Sequence, residues 1–278
     1  MKLGNVELHL VSDGAIHLDG GTLFGIVPKT LWRAKAPPDR KNRVTIGLNC
    51  LLIRSGGKNI LVDTGVGTKH PRQRRAIYAM AAGALTEALR QRGLAPDEID
   101  LVVMTHLHFD HAGGCTRLDA QGHPIPTFPR ATYLIQRRDW EEATHTNERT
   151  RAAYLPEDFL PLEERGQLAL LDGDQEITPG VWVQATGGHT SGHQMVLIDS
   201  GEQRAACGGD ILPTPHHLPP HYTTAWDLFP LDTVRRKREL LAQAEREGWL
   251  LLFGHGLETC AGYLTREGER LILKPASL

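Results

Sequence analysis

Residues 105–114 read THLHFDHAGG, and this stretch decides which fold the chain can adopt. In an extended segment, side chains two positions apart point to the same side, so His106 and His108 can bind one metal ion. Asp110 and His111 follow where the chain turns towards a helix, and they can face a second position close to the first. Three imidazoles and one carboxylate suit a borderline divalent ion such as zinc, and manganese, iron or cobalt can use the same ligands. The motif therefore predicts a metal centre.

Potential ligands also follow aliphatic runs elsewhere in the chain. Five such runs, NILV, LVVM, VWVQA, AAC and WLLLF, are followed closely by Asp63, His106, His189, Asp210 and His255. In α/β folds, ligand sites gather beyond the carboxyl ends of strands. We therefore expect these five side chains to converge on one patch.

The motif at 105–114 supplies only four metal-binding groups. Two ions need about three protein ligands each, together with a group that bridges them. His189, in GGHTSGH, would complete three imidazoles around the first ion. Asp210, in GGD, can bridge both ions through its two oxygens, and His255, in GHG, would complete the second. Glycines flank all three residues, as expected where the backbone passes close to a crowded centre.

The rest of the chain alternates strand patterns with helical patterns. Short strands fill the first 65 residues, and later strands are expected at LVVMT, ATYLIQ, VWVQA, MVLID, AACGG and WLLLF. Residues 70–92 carry apolar side chains at helical spacing, which predicts one amphipathic helix, and further helices are expected around RRDWEEA and over 232–247. The segment GYLTREGERLILK predicts a hairpin that closes the edge of a sheet. This alternation favours an α/β layer architecture, and without a repeat or linker we expect one domain over residues 1–278.

Composition excludes several classes of protein. The chain carries 31 Lys+Arg and 33 Asp+Glu, a net charge of −2, so nucleic acid is not an expected partner. No apolar run is long enough for a membrane helix, and the amino-terminal residues lack the apolar core of a signal peptide. The four cysteines lie far apart, as in reduced proteins. We expect a cytoplasmic protein without a membrane partner, and the sequence leaves a homodimer open.

Taken in chain order, these motifs resemble the metallo-β-lactamase superfamily. The motifs LVDTG, HLHFDH, GGHTSGH, GGD and FGH cover nearly the whole chain in that family's order. The segments DGGTLFGIVPKTLW, PLEERGQLALLDGD and GDILPT are similar to the YtnP-type branch of probable quorum-quenching lactonases. The resemblance implies an α/β fold of four αββα layers, in which two mixed sheets are flanked by helices and the metals lie at the edges of the sheets.

The resemblance also implies the residues of the site. Seven positions match the ligands of a two-metal centre: His106, His108, Asp110, His111, His189, Asp210 and His255. Asp63 and His193 match residues that orient ligand imidazoles. The implied enzyme is a hydrolase that opens lactones or esters, of the N-acyl-homoserine lactone type, by attack of a hydroxide that bridges two divalent ions. Asp110 would hold the hydroxide and move its proton, and zinc is the first choice of metal, with Mn, Fe or Co open.

The residues that would bind the substrate depart from the family pattern. Many N-acyl-homoserine lactonases place a tyrosine three residues after the bridging aspartate, where Pro213 stands here. Another donor is then needed, and the loop TPHHLPPHY offers Thr214, His216, His217, His221 and Tyr222. An apolar wall for an acyl chain could come from Phe24, Trp32, Trp226 and Phe229, although buried aromatic side chains usually serve the core.

Several alternatives would use the same metals. Aryl-ester, thioester or phosphotriester hydrolysis needs no other ligands, because the walls of the cleft rather than the ions select the substrate. A nuclease could use basic runs such as RRKR at 235–238, but a solvated helix face explains this run better. A relative that binds metal and a ligand without turnover would keep the motifs too. Ser191 does not lie in a GxSxG elbow, so a serine nucleophile is not expected.

Overall fold

A computed structural model describes all 278 residues of the chain. Its strands are β1 Lys2–Leu3, β2 Val6–Asp19, β3 Arg43–Ser55, β4 Lys58–Val62, β5 Ala81–Ala82, β6 Leu101–Val103, β7 Thr116–Leu118, β8 Pro124–Pro126, β9 Thr132–Gln136, β10 Leu168–Leu171, β11 Gln175–Thr178, β12 Val181–Ala185, β13 Gln194–Ser200, β14 Gln203–Cys207, β15 Leu250–Leu252, β16 Ala261–Glu267 and β17 Arg270–Pro275. Its α-helices are α1 Gly20–Phe24, α2 Lys29–Trp32, α3 Arg72–Ile77, α4 Leu85–Gln91, α5 Phe109–Ala112, α6 Arg137–Thr144, α7 Pro156–Glu164 and α8 Pro230–Glu247.

The strands form two large sheets. The first has the order β1-β2-β3-β4-β6-β9-β10, with β5 paired to β2, and the second runs from β11 to β17 in chain order. Neighbours from β4 to β10 in the first sheet are parallel, as are β14 and β15 in the second. The other neighbours in both sheets are antiparallel, so both sheets are mixed.

The two sheets pack face to face between two layers of helices. Successive residues of β3 show this, because Leu51 and Ile53 enter the cluster between the sheets while Cys50 and Leu52 enter the cluster on the outer face. That outer cluster joins the first sheet to α4, α6 and α7. A further cluster joins the second sheet to α8. The predicted four-layer αββα sandwich is confirmed.

Helix α8 shows how local sequence sets the limits of an outer-layer element. Pro230 occupies its first position, where the missing N–H would have no helical partner, and Asp232 lies near the positive end of the helix dipole. Gly248 ends the helix in the left-handed region, with φ of 67°. The helix predicted over 232–247 is therefore confirmed and begins two residues earlier. None of the helices combines the length and apolar character that crossing a membrane requires.

The prediction of one helix over 70–92 is wrong. The segment instead forms α3, β5 and α4 in turn, with β5 paired to β2. The buried carboxylate of Asp13 fixes the break, because it accepts the backbone N–H groups of Gly83 and Leu85 as well as two from residues 66–67. Apolar spacing reports only local periodicity, so it cannot reveal this long-range contact. The predicted edge hairpin is present as β16 and β17.

Candidate metal centre

Potential metal ligands from five segments of the chain lie close together. Four of these segments follow β6, β12, β14 and β15, and the fifth is α5. Three groups have ligand atoms within 4.8 Å of one another: His106, His108 and His189; His106, His111 and Asp210; and Asp110, His111 and His255. All of these residues are buried except Asp110, which is partly exposed. The structure thus brings together all seven residues that the resemblance implies as ligands.

Asp210 lies between the groups. Its Oδ1 is 3.3 Å from Nε2 of His111 and 3.3 Å from Nε2 of His255, while its Oδ2 is 3.4 Å from Nε2 of His189. Asp110 also lies near this group, with Oδ2 3.6 Å from Nε2 of His255. The two oxygens of Asp210 therefore face different sets of imidazoles, as a bridging carboxylate requires.

Hydrogen bonds on the outer side of the imidazoles fix the positions of their protons. In three of them Nδ1 lies next to an oxygen that can only accept: His111 beside Asp63 (2.9 Å), His189 beside Asp227 (2.7 Å) and His255 beside the carbonyl of Gly47 (2.9 Å). Each Nδ1 therefore donates, and in a neutral ring Nε2 is left with a lone pair. These lone pairs face the centre, as in histidines that bind metal through Nε2.

Pairs of imidazole nitrogens face each other at the centre. Nε2 of His111 lies 3.1 Å from Nε2 of His255, and Nε2 of His189 lies 3.1 Å from Nδ1 of His108. The buried Nε2 of His106 has no hydrogen-bond partner, which costs about 1–3 kcal/mol for a group of this kind. Divalent metal ions shared by these nitrogens and the carboxylates satisfy every one of these atoms, so the donor set fits them.

Burial and neighbouring charges shift the pKa values of the ligand histidines in two directions. Burial holds the pKa of His106 and His108 well below the ordinary value, so both imidazoles are neutral. Burial alone would raise the pKa of Asp210, but the imidazoles of His255 and His111 and their neighbours outweigh it and hold this pKa well below the ordinary value. Burial alone would lower the pKa of His111, His189 and His255, but the charge of Asp210 outweighs it and raises all three. A divalent cation that binds these three imidazoles therefore displaces their protons.

Asp63 and His193 support the ligands in different ways. Asp63 accepts the bond from His111 and also accepts the backbone N–H (2.8 Å) and the hydroxyl of Thr105, the residue before His106. His193 does not bond a ligand imidazole. Its Nε2 accepts the backbone N–H of Asp210 at 3.0 Å, and its Nδ1 donates to a neighbouring threonine hydroxyl at 2.6 Å. It therefore holds the backbone of Asp210 rather than orienting a ring.

Two buried aspartates that lie in none of the motifs hold the ligand loops. Asp139, on α6, accepts the backbone N–H of Leu107 at 2.7 Å and the hydroxyl of Thr190, so it joins the two loops that carry His106 and His189. Burial raises the pKa of Asp139 to about 7. Asp227 accepts a hydrogen bond from His189 directly. The sequence signal that could have identified Asp227 is its position between apolar residues in TAWDLF.

The glycines that end the stretch THLHFDHAGG allow the backbone to pass closely. A Cβ on Gly113 would lie 2.3 Å from the carbonyl oxygen of Val66, and one on Gly114 would lie 2.1 Å from that of Thr64. Neither distance is compatible with a side chain. The turn that carries Asp110 and His111 can therefore lie against the loop after β4 only with glycine at both positions.

A cavity opens onto the centre. Five of the seven grouped residues line it: His108, Asp110, His189, Asp210 and His255. Its apolar wall includes Leu18, Leu23, Phe109 and Trp226. Phe109 belongs to the HLHFDH motif itself, so the segment that supplies the metal ligands also supplies part of the wall.

Most of the residues predicted to bind the substrate lie elsewhere. Trp226 lines the cavity, whereas Phe24, Trp32 and Tyr222 belong to a buried cluster in which Phe24 stacks on Trp32 with ring centroids 5.0 Å apart. These aromatic side chains pack in the core, where their large apolar area is removed from water. Phe229 is 46% exposed and lies outside the cavity lining, just before α8.

The histidines of the TPHHLPPHY loop do not line this cavity either. His217 is buried, where it donates to the carbonyl of Leu23 at 2.9 Å, bonds the hydroxyl of Thr214 and stacks on Phe24. His216 lies in a second cavity on the other side of His255, and His221 is exposed. The loop therefore contributes packing beneath the site instead of the donor that was expected from it.

Asp227→Asn is expected to weaken metal binding by about 10–100-fold, because the bond that orients His189 loses its charge. Competition with a coloured chelator measures this affinity. The control is Asp172→Asn, which removes an exposed ion pair with Arg137 and should leave the affinity unchanged. Equal metal affinity in the Asp227 variant and the wild type would show that this bond does not support the centre.

Known proteins match this chain over most of its length. The profile of the Metallo-beta-lactamase superfamily matches residues 46–255. An N-acyl homoserine lactonase from Bacillus sp is 28% identical over 231 residues, which cover 75% of this chain and 81% of that protein.

Solved structures share the fold. A probable metal-dependent hydrolase from Staphylococcus aureus superposes with a TM-score of 0.90 at 30% identity, and both chains are covered completely. AidC, a dizinc quorum-quenching lactonase in complex with a product, superposes with a TM-score of 0.81 at 22% identity over 100% of this chain and 97% of that one.

Proposed function

Because the chain belongs to the metallo-beta-lactamase superfamily and is a metal-dependent hydrolase, we propose that it opens lactones of the N-acyl homoserine type and related esters with two divalent ions. The observation that carries this proposal is the cavity, whose apolar wall ends directly at Asp110, Asp210 and His255. Such a cavity suits a substrate with an apolar arm and a reactive carbonyl at its end. The 28% identical relative named as an N-acyl homoserine lactonase supports the same substrate class.

The ligand groups divide into two sets around Asp210. In this proposal His106, His108 and His189 would hold one ion, Asp110, His111 and His255 would hold the other, and Asp210 would contribute to both. When bound, two divalent ions supply Lewis acidity and acidify a water molecule at neutral pH. Zinc is the first choice because imidazole and carboxylate ligands suit it, and AidC is described as a dizinc protein.

Asp110 is the residue that moves the proton. It lines the cavity and is partly exposed, so its carboxylate can reach both the attacking water and the substrate. The carboxylate accepts a proton from the water as the water oxygen bonds to the carbonyl carbon. When the bond from that carbon to the ester oxygen breaks, Asp110 returns the proton to the departing oxygen. A lactone thereby becomes a hydroxy acid, with no net change at Asp110.

Serine and cysteine side chains are absent from the cavity wall. The Ser191 hydroxyl lies outside the lining and donates to the carbonyl of Arg138 at 3.1 Å. Cys50, Cys115 and Cys207 are buried, and burial raises the pKa of each thiol above its ordinary value. Attack by water therefore fits the site better than formation of an acyl-enzyme.

A substrate panel tests this function. Metal-loaded protein is assayed on N-acyl homoserine lactones of increasing chain length and on an aryl ester, a thioester and a phosphotriester. We expect kcat/KM to rise from short to medium acyl chains, since each buried methylene contributes up to about 0.8 kcal/mol, and the aryl ester to be slower. Inert lactones alongside active thioesters or phosphotriesters would contradict the proposed substrate class.

Two tryptophan variants test whether the cavity wall selects substrates by the length of their acyl chain. Trp226→Ala removes part of the wall and should flatten the dependence of kcat/KM on chain length. Trp182→Ala removes a 41% exposed ring of β12 that lies outside the cavity, and should leave this dependence unchanged.

A further inference from the structure

Tyr78 places a phenol hydroxyl in the cavity wall that forms no hydrogen bond within the protein. The other polar side chains of the wall, apart from the metal-binding groups, are largely engaged. Thr224 donates its hydroxyl to Asp227 at 2.7 Å, and Arg149 donates to backbone carbonyls of the same loop. Among the neutral donors of the wall, only the indole N–H of Trp226 is also without a protein acceptor. Tyr78 and Trp226 are therefore the neutral donors left for a bound molecule.

The backbone around Tyr78 is fixed in an uncommon conformation. Ala79, the next residue, has φ of 41°, in the left-handed region that residues with a Cβ rarely adopt. The carbonyl of Tyr78 accepts the backbone N–H of His17 at 2.8 Å, and its own N–H donates to the carbonyl of Arg74 at 3.1 Å. Uncommon backbone conformations of this kind are concentrated at functional sites. Here the conformation ends α3 at the residue that reaches the cavity.

Tyr78 also packs against the turn that carries Asp110. Its ring lies 5.0 Å from the ring of Phe109, the residue before Asp110, at an angle of 43°. Burial, and then the charge of Asp110, raise the pKa of Tyr78, so the phenol keeps its proton at neutral pH. The hydroxyl is therefore a neutral donor in the same cavity wall as Asp110.

We propose that Tyr78 is a catalytic residue that donates a hydrogen bond from Oη to the substrate carbonyl oxygen as this oxygen gains negative charge. The inference rests on the proposed function, because it needs an ester or lactone in the cavity. The sequence leaves the position of a substrate donor open at Pro213, and Tyr78 supplies such a donor from a segment far away in the chain. A donor positioned at developing charge contributes about 10²–10³-fold to turnover.

Tyr78→Phe tests the proposal, because it removes the hydroxyl and keeps the ring that packs on Phe109. We expect kcat to fall by about 10²-fold with little change in KM, since the bond is strongest where charge develops. Metal content and melting temperature should not change. Tyr263→Phe, on β16 and outside the cavity, is the matched control and should keep the wild-type kcat.

Three outcomes would overturn the proposal. The first is a wild-type kcat in Tyr78→Phe, the second is a fall in kcat explained by loss of metal, and the third is a fall that occurs in Trp226→Phe instead. The assay uses whichever panel substrate the wild type hydrolyses. Inactivity of the wild type towards lactones alone contradicts the proposed function, and the comparison of Tyr78→Phe with the wild type on another panel substrate then still tests the role of Tyr78. If the wild type hydrolyses none, calorimetry with N-hexanoyl-homoserine decides, and Tyr78→Phe should bind it about 10-fold more weakly, whereas equal binding contradicts the proposal.

Discussion

Asp210→Asn is expected to lower kcat/KM by about 10³-fold or more on any substrate that the wild type hydrolyses. Asp210 is the one residue whose two oxygens face both sets of imidazoles, at 3.3 Å from His111 and His255 and 3.4 Å from His189. An amide has nearly the same shape but no charge, so both metal positions lose the attraction that Asp210 supplies. Steady-state kinetics together with elemental analysis measure this effect.

The folded structure should survive this substitution. Asp210 has its backbone N–H held by His193, a bond that Asn keeps, so far-UV circular dichroism should match the wild type. The control is Asp199→Asn, on β13, which removes an exposed ion pair with Arg204 of β14 and should retain full activity. Wild-type turnover in Asp210→Asn would remove Asp210 from the centre.

Removal of the metal is expected to abolish turnover and lower the melting temperature by about 10 °C. A ligand present at 1,000 times its dissociation constant stabilises a fold by about 4 kcal/mol, and each kcal/mol corresponds to about 2–4 °C for a chain of this size. A bound cation would link His111 and His255, whose Nε2 atoms lie 3.1 Å apart, to the carboxylate of Asp210. Dialysis against a chelator followed by differential scanning calorimetry measures the loss.

Added zinc should restore both turnover and melting temperature to the chelated protein. The Asp210→Asn variant is the comparison, because its melting temperature should fall less on chelation than that of the wild type. Protein that is shown by elemental analysis to contain no metal, and that still hydrolyses its substrate, would exclude a metal-dependent mechanism.

The layers of the fold and the convergence of the seven metal-binding side chains could be predicted from the sequence, because each is indicated by patterns within short segments. Strand endings before His189, Asp210 and His255 locate them at one edge, whatever the details of the loops. The four-layer sandwich follows from alternating strands and helices, and the packing of β3 between two clusters agrees with it. Neither inference needs a contact between particular side chains.

Predictions that depended on single long-range contacts were less successful. The helix over 70–92 is broken because Asp13 captures backbone N–H groups from that segment, and no periodicity reports this. Phe24 and Trp32 have the size of a substrate wall but pack in the core, and composition cannot distinguish the two environments. Tyr78 lines the cavity from a distant segment, so only the folded chain reveals it, whereas the place of Asp227 among apolar residues in TAWDLF was a signal in the sequence.

The number of metal ions per chain tests the central claim most directly. Protein reconstituted with excess zinc and then freed of unbound metal is examined by native mass spectrometry. Two sets of ligand atoms joined by Asp210 predict two ions per chain. A mass that corresponds to one ion, and that does not change as zinc is raised further, would contradict the two-metal centre from which the proposed chemistry follows.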